Sequence, residues 1–331
     1  MINYAVIGTS MITGKFIESA QATNKWDLTT IYSRTAEKAE NFIDSEALKD
    51  ITIETDWNAF LNSTHFSTVY IASPNSIHFQ QAIALLKAKK NVVVEKPIFP
   101  TAAELKEAQR IAKENNVFIF EAARHIHEAN FKIVKELVAN TPNIEGATFA
   151  YSKYSSRYDQ VLNGEQPNIF TTKFAGGALV DLGIYLVYSA VAWFGVPERS
   201  HYFAKKIVTG VDGSGTIILE YTDFNVTLLT GKIVQSYLGS EIYSNQSTIL
   251  LDAVNAITTI DVWDRKTDTT TAKGVEAPEL LLYDEAIAFA SVINNPTDAK
   301  ALEDYREWSE LSLNVTTLVE SLRKDAGIVY D

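Results

Sequence analysis

The strongest constraint on the fold is an alternation in the first third of the chain. Five short runs rich in β-branched residues, at 4–7, 29–32, 69–72, 91–94 and 117–120, are separated by four segments with helical spacing, at 12–22, 36–48, 77–88 and 102–115. A strand followed by a helix at this interval, repeated, builds a parallel sheet with helices on both faces. Strands buried on both faces read as continuous apolar runs, as the three valines at 92–94 do.

The remainder has a different rhythm. Helices are expected at 130–139 and after Gly177. Seven strand-like runs fall at 144–154, 202–208, 216–221, 226–230, 236–243, 247–251 and 257–263, and two helices, at 279–293 and 304–323, close the chain. Strands in succession with few helices between them predict a mostly antiparallel sheet. The fold class expected is therefore α/β. An N-terminal doubly wound parallel sheet of the Rossmann type, residues 1–122, is followed by an α+β domain with a large open sheet, residues 123–331. With 331 residues the chain is long enough for two such domains.

Composition narrows the function. The net charge of −12 argues against a general nucleic-acid or anionic-membrane surface. The absence of cysteine removes disulfides, thiolate catalysis and cysteine-ligated zinc. The first residues, MINYAVIG, enter a strand pattern without a basic and then apolar leader, so no signal peptide and a cytoplasmic location are expected. The most membrane-like stretch, 176–196, contains Gly176, Gly177, Asp181 and Gly183, which favours a buried helix over a membrane span.

The first strand ends in GTSMITG, Gly8 to Gly14. A dinucleotide-binding turn follows the pattern G-x-G-x-x-G, in which glycines make the tight turn and admit the pyrophosphate. Gly8 is kept, and Ser10 and Thr13 replace the second and third glycines. The turn Gly8, Thr9, Ser10, Met11 and Ile12 then leads into a helix whose N-terminus suits phosphate. NAD sites place an acidic residue at the end of the second strand. This chain has Ser33 and Arg34 there, with Lys38 one turn on, which suits a 2′-phosphate. The expected cofactor is NADP, with NAD as the alternative.

Three further motifs follow in order: Pro74-Asn75-x-x-His78, then Glu95-Lys96-Pro97, then GGALVDLGIY at 176–185. Together they resemble the glucose–fructose oxidoreductase, inositol dehydrogenase and rhizopine catabolism (Gfo/Idh/MocA) family, over essentially the whole chain. Tyr185 stands where many members have histidine, which resembles the dihydrodiol dehydrogenase branch. The resemblance implies a cofactor lined by Ala72, Ser73, Pro74, Asn75, His78, Glu95, Lys96, Pro97 and Arg124, and a cis Lys96–Pro97 bond. Asn75 could equally act as a helix N-cap. The resemblance also implies that Lys96 meets Asp181 and Tyr185 across a cleft, over the nicotinamide.

The implied chemistry is hydride transfer to or from a carbon bearing oxygen, on a sugar, polyol or cyclic diol. A free phenol with a pKa of about 10 is a poor base at neutral pH, but an ammonium about 4 Å away, worth roughly 4 kcal/mol at an effective dielectric of 20, lowers it by about three units. The expected roles are Tyr185 as proton donor and acceptor, Lys96 as its electrostatic partner and Asp181 as substrate anchor. Alternatively, Lys96 itself bonds the substrate oxygen and Asp181 orients it. A non-catalytic dinucleotide sensor on the same fold is the competing reading.

Two stretches are weaker. EAARHIHEAN at 121–130 carries Glu121, His125 and His127 but no convincing further ligands, so no metal is expected. In YSKYSSRYDQ at 151–160, Lys153, Arg157 and Tyr158 could meet a polyhydroxylated substrate or form a solvated loop; Arg157 is the candidate substrate contact. A homodimer or homotetramer through the C-terminal sheet is expected.

Overall fold

The computed structural model describes residues 1–331 and falls into two compact units. The first comprises Met1–Arg124 and Pro278–Glu310, the second His125–Ala277 and Leu311–Asp331.

In the first unit, β1 (Ile2–Ile7), β2 (Trp26–Tyr32), β3 (Thr52–Glu54), β4 (Thr68–Ile71), β5 (Asn91–Glu95) and β6 (Ile119–Ala122) form one sheet in the order β3-β2-β1-β4-β5-β6. Every pairing is parallel. The helices α1 (Met11–Ala22), α2 (Ala36–Ser45), α3 (Trp57–Asn62), α4 (His78–Lys87) and α5 (Ala102–Glu114) connect the strands. The order reverses between β1 and β4, so the ends of these two strands mark the crevice where such sheets bind ligands. One aromatic cluster fills a face of the sheet. Phe16 stacks on Tyr70 with ring centroids 3.9 Å apart, and Tyr4 meets Trp26 edge-on at 5.4 Å. The edge elements β3 and α3 carry no period long enough to be predicted.

The sequence reading placed everything after residue 122 in the second domain. The structure instead groups 278–310 with the first unit. There α9 (Tyr283–Asn294) packs on α1 and β1, and Trp26 donates its indole N–H to the Ala286 carbonyl at 2.9 Å. The apolar face of α9 (Ala286, Phe289, Ala290) is visible in the sequence, but which sheet it covers is a long-range property.

In the second unit, α6 (Ala129–Asn140) precedes β7 (Ile144–Ser152), and α7 (Arg157–Leu162) and α8 (Ile184–Phe194) follow it. Next come β8 (Arg199–Lys206), β9 (Asp212–Glu220), β10 (Asn225–Gly231), β11 (Ser240–Ser244), β12 (Ser247–Leu251), β13 (Ile260–Asp264) and β14 (Thr269–Ala272). The sheet order is β14-β13-β12-β11-β7-β10-β9-β8. Only β7 and β10 run parallel. The exposed strand β14 and the short α7 were not anticipated. The apolar stretch Thr172–Phe194 is long enough to cross a membrane, but 78% of its most apolar window is buried inside the protein. Its residue Trp193 packs edge-on against Phe149 of the sheet at 5.3 Å. The last helix, α10 (Ala299–Asp325), begins in the first unit and ends in the second.

Candidate active site

At the tip of β1 the chain turns through Gly8 at φ +103°. A Cβ there would lie 2.6 Å from the Ala72 carbonyl oxygen, so only glycine lets the first turn approach the end of β4 this closely. The turn delivers Thr9 and Ser10 to the start of α1. Ser10 does not cap the helix; its hydroxyl meets that of Thr13 at 3.1 Å. The first turn of α1 carries no acidic side chain, and Met11 is exposed, with Ile12 partly so. An uncapped helix N-terminus behind a glycine cradle fits a pyrophosphate. Ser33 and Arg34 follow β2 with no carboxylate at either position; Ser33 is buried and Arg34 exposed.

The segment after β4 is fastened from behind. Ser73 donates its hydroxyl to Gln81 Oε1 at 2.7 Å. Asn75 opens a short 3-10 turn, Asn75–Ile77, and α4 begins only at His78, so Asn75 is not the N-cap of α4. His78 is fully buried. Its Nε2 lies 2.7 Å from the Ser73 carbonyl oxygen, and its Nδ1 lies 3.2 and 3.3 Å from those of Pro97 and Ile98. Burial lowers its pKa from the usual histidine value, with the three carbonyls opposing. The ring ties the loop carrying Pro74 and Asn75 to the loop carrying Lys96 and Pro97.

The Lys96–Pro97 bond is cis. Glu95, just before it, is buried and accepts a hydrogen bond from the Tyr70 hydroxyl. Burial raises the Glu95 pKa, while Tyr70 and the charges of Lys96 and Arg124 counter it. Arg124 is itself buried. Glu121 accepts from the Ile98 N–H at 3.1 Å, fixing the chain beyond the cis bond. Lys96 is thus presented from an anchored strand end and stays partly exposed.

In the second unit, two glycines open the third motif. A Cβ on Gly176 would lie 2.6 Å from the backbone of Ile169, and one on Gly177, at φ +131°, would collide with the Asp212 carboxylate. Asp212 is buried and caps the helix start, accepting from the Leu179 N–H at 2.6 Å and from the Tyr202 hydroxyl at 2.6 Å. Burial raises its pKa against these donors and the Lys232 charge. The helix opens with a π turn, Leu179–Gly183, carrying Asp181, and continues as α8, carrying Tyr185. Tyr185 packs against His125, with ring centroids 4.8 Å apart, and against Tyr151 at 5.9 Å. Asp181 pairs with Lys232, whose Nζ lies 2.6 Å from Oδ2. Arg157 is exposed at the first position of α7, so the 151–160 stretch is partly helical rather than a loop.

Lys232 and Asp212 are the residues the sequence reading missed. Lys232 follows β10 as Lys96 follows β5, one position past the end of a strand with an apolar centre. That pattern was the only available signal, and it also describes any strand that surfaces.

A model of the Gfo/Idh/MocA oxidoreductase family, with an NAD-binding Rossmann fold, matches residues 2–123. Over 330 residues, covering 100% of this chain and 98% of each relative, the chain is 34% identical to the scyllo-inositol 2-dehydrogenase (NADP(+)) IolU of Bacillus subtilis and 33% identical to the uncharacterized oxidoreductase YgjR of Escherichia coli. It is 26% identical, over 65% of its length and 64% of the relative's, to trans-1,2-dihydrobenzene-1,2-diol dehydrogenase of Oryctolagus cuniculus. The fold resembles that of a 3-ketoreductase from Actinomadura kijaniata in complex with NADP and TDP-benzene, with a TM-score of 0.84 at 19% identity, covering 100% of this chain and 99% of the other. The chain belongs to the Gfo/Idh/MocA family. It is an NAD(P)-dependent oxidoreductase.

Proposed function

We propose that this enzyme interconverts a secondary alcohol and a ketone on a cyclic polyol, sugar or cyclic diol, with NADP preferred to NAD. The observation that carries the reading is the helix of the second unit, which presents an ion-paired carboxylate, Asp181, and a half-buried phenol, Tyr185. A carboxylate suits a substrate rich in hydroxyl donors, and a phenol suits proton exchange with an alcohol oxygen. The full-length likeness to an inositol dehydrogenase supports the same substrate class.

Gly8, Thr9, Ser10, Met11 and Ile12 would hold the pyrophosphate, and Ser33 and Arg34 the 2′-phosphate. Ala72, Ser73, Pro74, Asn75, Lys96 and Pro97 would line the nicotinamide end, with His78, Glu95 and Arg124 behind them. Bound there, the cofactor supplies hydride chemistry. The chain's residues do the rest. Asp181 accepts a substrate hydroxyl proton in a hydrogen bond and sets the orientation, with Arg157 at the rim. During oxidation Tyr185 Oη, as the phenolate, takes the proton from the reacting hydroxyl and becomes the phenol; during reduction the phenol gives that proton to the substrate oxygen and is left as the phenolate. Lys96 contributes positive charge where negative charge develops on the substrate oxygen.

A cytoplasmic location, and a homodimer or homotetramer through the eight-stranded sheet, belong to this reading. The test is a panel of inositols, aldoses and cyclic diols with NADP⁺, followed by absorbance of the reduced nicotinamide. Turnover of at least one cyclic polyol is expected. Tight NADPH binding without turnover of any member would contradict the substrate class.

A further inference from the structure

The buried lysine beside Asp181 has a role of its own. The Lys232 side chain is 2% exposed, whereas that of Asp181 is 36% exposed, so the pair joins the interior to the accessible surface. The ammonium also lies 4.7 Å from the centre of the Phe170 ring. Its backbone is pinned on both sides: the Lys232 N–H donates to Gly213 at 2.7 Å, and its carbonyl accepts from the Ser155 N–H at 2.9 Å. A lysine held this way has little rotamer freedom left. A buried ammonium is tolerated only with a close counter-charge, and the ion pair runs to the carboxylate four residues before Tyr185.

We propose that Lys232 is a positioning residue for substrate recognition: from inside the second unit, its ammonium fixes the Asp181 carboxylate in one orientation, so that Asp181 receives a substrate hydroxyl without first being ordered. This inference rests on the role given to Asp181 above. A charge-assisted acceptor that is already oriented binds a hydroxyl more tightly than a mobile one, because less conformational entropy is lost on binding. Asp212 caps the start of the same helix at Leu179 and also feels the Lys232 charge, so the cation acts on a structural carboxylate as well as on the one it pairs with.

The test uses the full chain with NADP⁺ and scyllo-inositol as probes, and four proteins: wild type, Lys232→Met, Asp181→Asn and the double variant. Lys232→Met is expected to raise KM for scyllo-inositol about tenfold or more with a smaller change in kcat, whereas in the Asp181→Asn background the same change adds less than about threefold. NADPH affinity, read by fluorescence, stays within about twofold throughout. An unchanged KM in Lys232→Met, or a full additional loss in the Asp181→Asn background, overturns the proposal.

Thermal unfolding of the four proteins reads the pair without substrate. The double variant, which leaves neither charge unpaired, is expected to melt above Asp181→Asn, in which the buried Lys232 ammonium loses its counter-charge, or to fold where Asp181→Asn does not. Strictly additive losses, or failure of both lysine variants to fold while Asp181→Asn is fully stable, overturn the pairing. A wild-type protein that binds NADPH but leaves scyllo-inositol untouched counts against the choice of substrate; the unfolding cycle then still decides the pair.

Discussion

Gly8 shows how one residue ties fold to ligand. Its positive φ and the nearby Ala72 carbonyl leave no room for a side chain. Gly8→Ala should therefore lower unfolding stability by about 1–3 kcal/mol and weaken NADPH binding, both measurable by denaturant titration and fluorescence. Arg34→Ala should shift the preference from NADPH toward NADH; an unchanged ratio of kcat/KM values would remove Arg34 from the 2′-phosphate site. His127 gives a pH signature. Burial, with the Lys132 charge adding to it, lowers its pKa to about 3. The unfolded chain, near the ordinary value of about 6.5, takes up the proton first, so the stability from neutral His127 is present above that pH and lost as pH falls toward 3, at up to about 1.4 kcal/mol per unit. Wild type should therefore lose more stability between pH 6.5 and 5 than His127→Asn. Gly8, Lys96, Asp181 and Tyr185 were legible because each sits in a local pattern. The fastening role of His78 and the pair of Lys232 with Asp181 were not, because each depends on partners 19 to 51 residues away: the Pro97 carbonyl in one case, Asp181 in the other.

Among the elements, α5 is the one most fully written in its own residues. Thr101 accepts from the Glu104 N–H at 3.3 Å, and Glu104 accepts from the Thr101 N–H at 3.1 Å, a reciprocal capping box. Thr101→Ala should lower stability by about 1 kcal/mol with kcat and KM unchanged, since the cap serves the fold alone. Long periodic helices and buried strands were readable for the same reason: their pattern repeats within one segment. The short edge strand β3 and the exposed β14 have too few residues to show a period, so pairing with a neighbour defines them. The π turn at Leu179–Gly183 is likewise invisible in periodicity, and it lies where the motif carries Asp181. Such turns recur at functional sites.

For the whole molecule, the chain order of strands and helices gave both sheets, while the return of 278–310 to the first unit came only from packing. Trp26 and Phe16 form an aromatic surface that α9 completes, and no local feature of residues 283–294 names that surface as its partner. Of the proposed catalytic residues, Lys96 belongs to the first unit and Asp181 and Tyr185 to the second. The decisive measurement is steady-state oxidation, with NADP⁺, of the cyclic polyol that the wild type turns over in the substrate panel, by wild type, Lys96→Met and Tyr185→Phe, with NADPH binding followed in parallel. The account predicts that each substitution cuts kcat by about a hundredfold or more while NADPH still binds. A near-wild-type rate in either variant would contradict it.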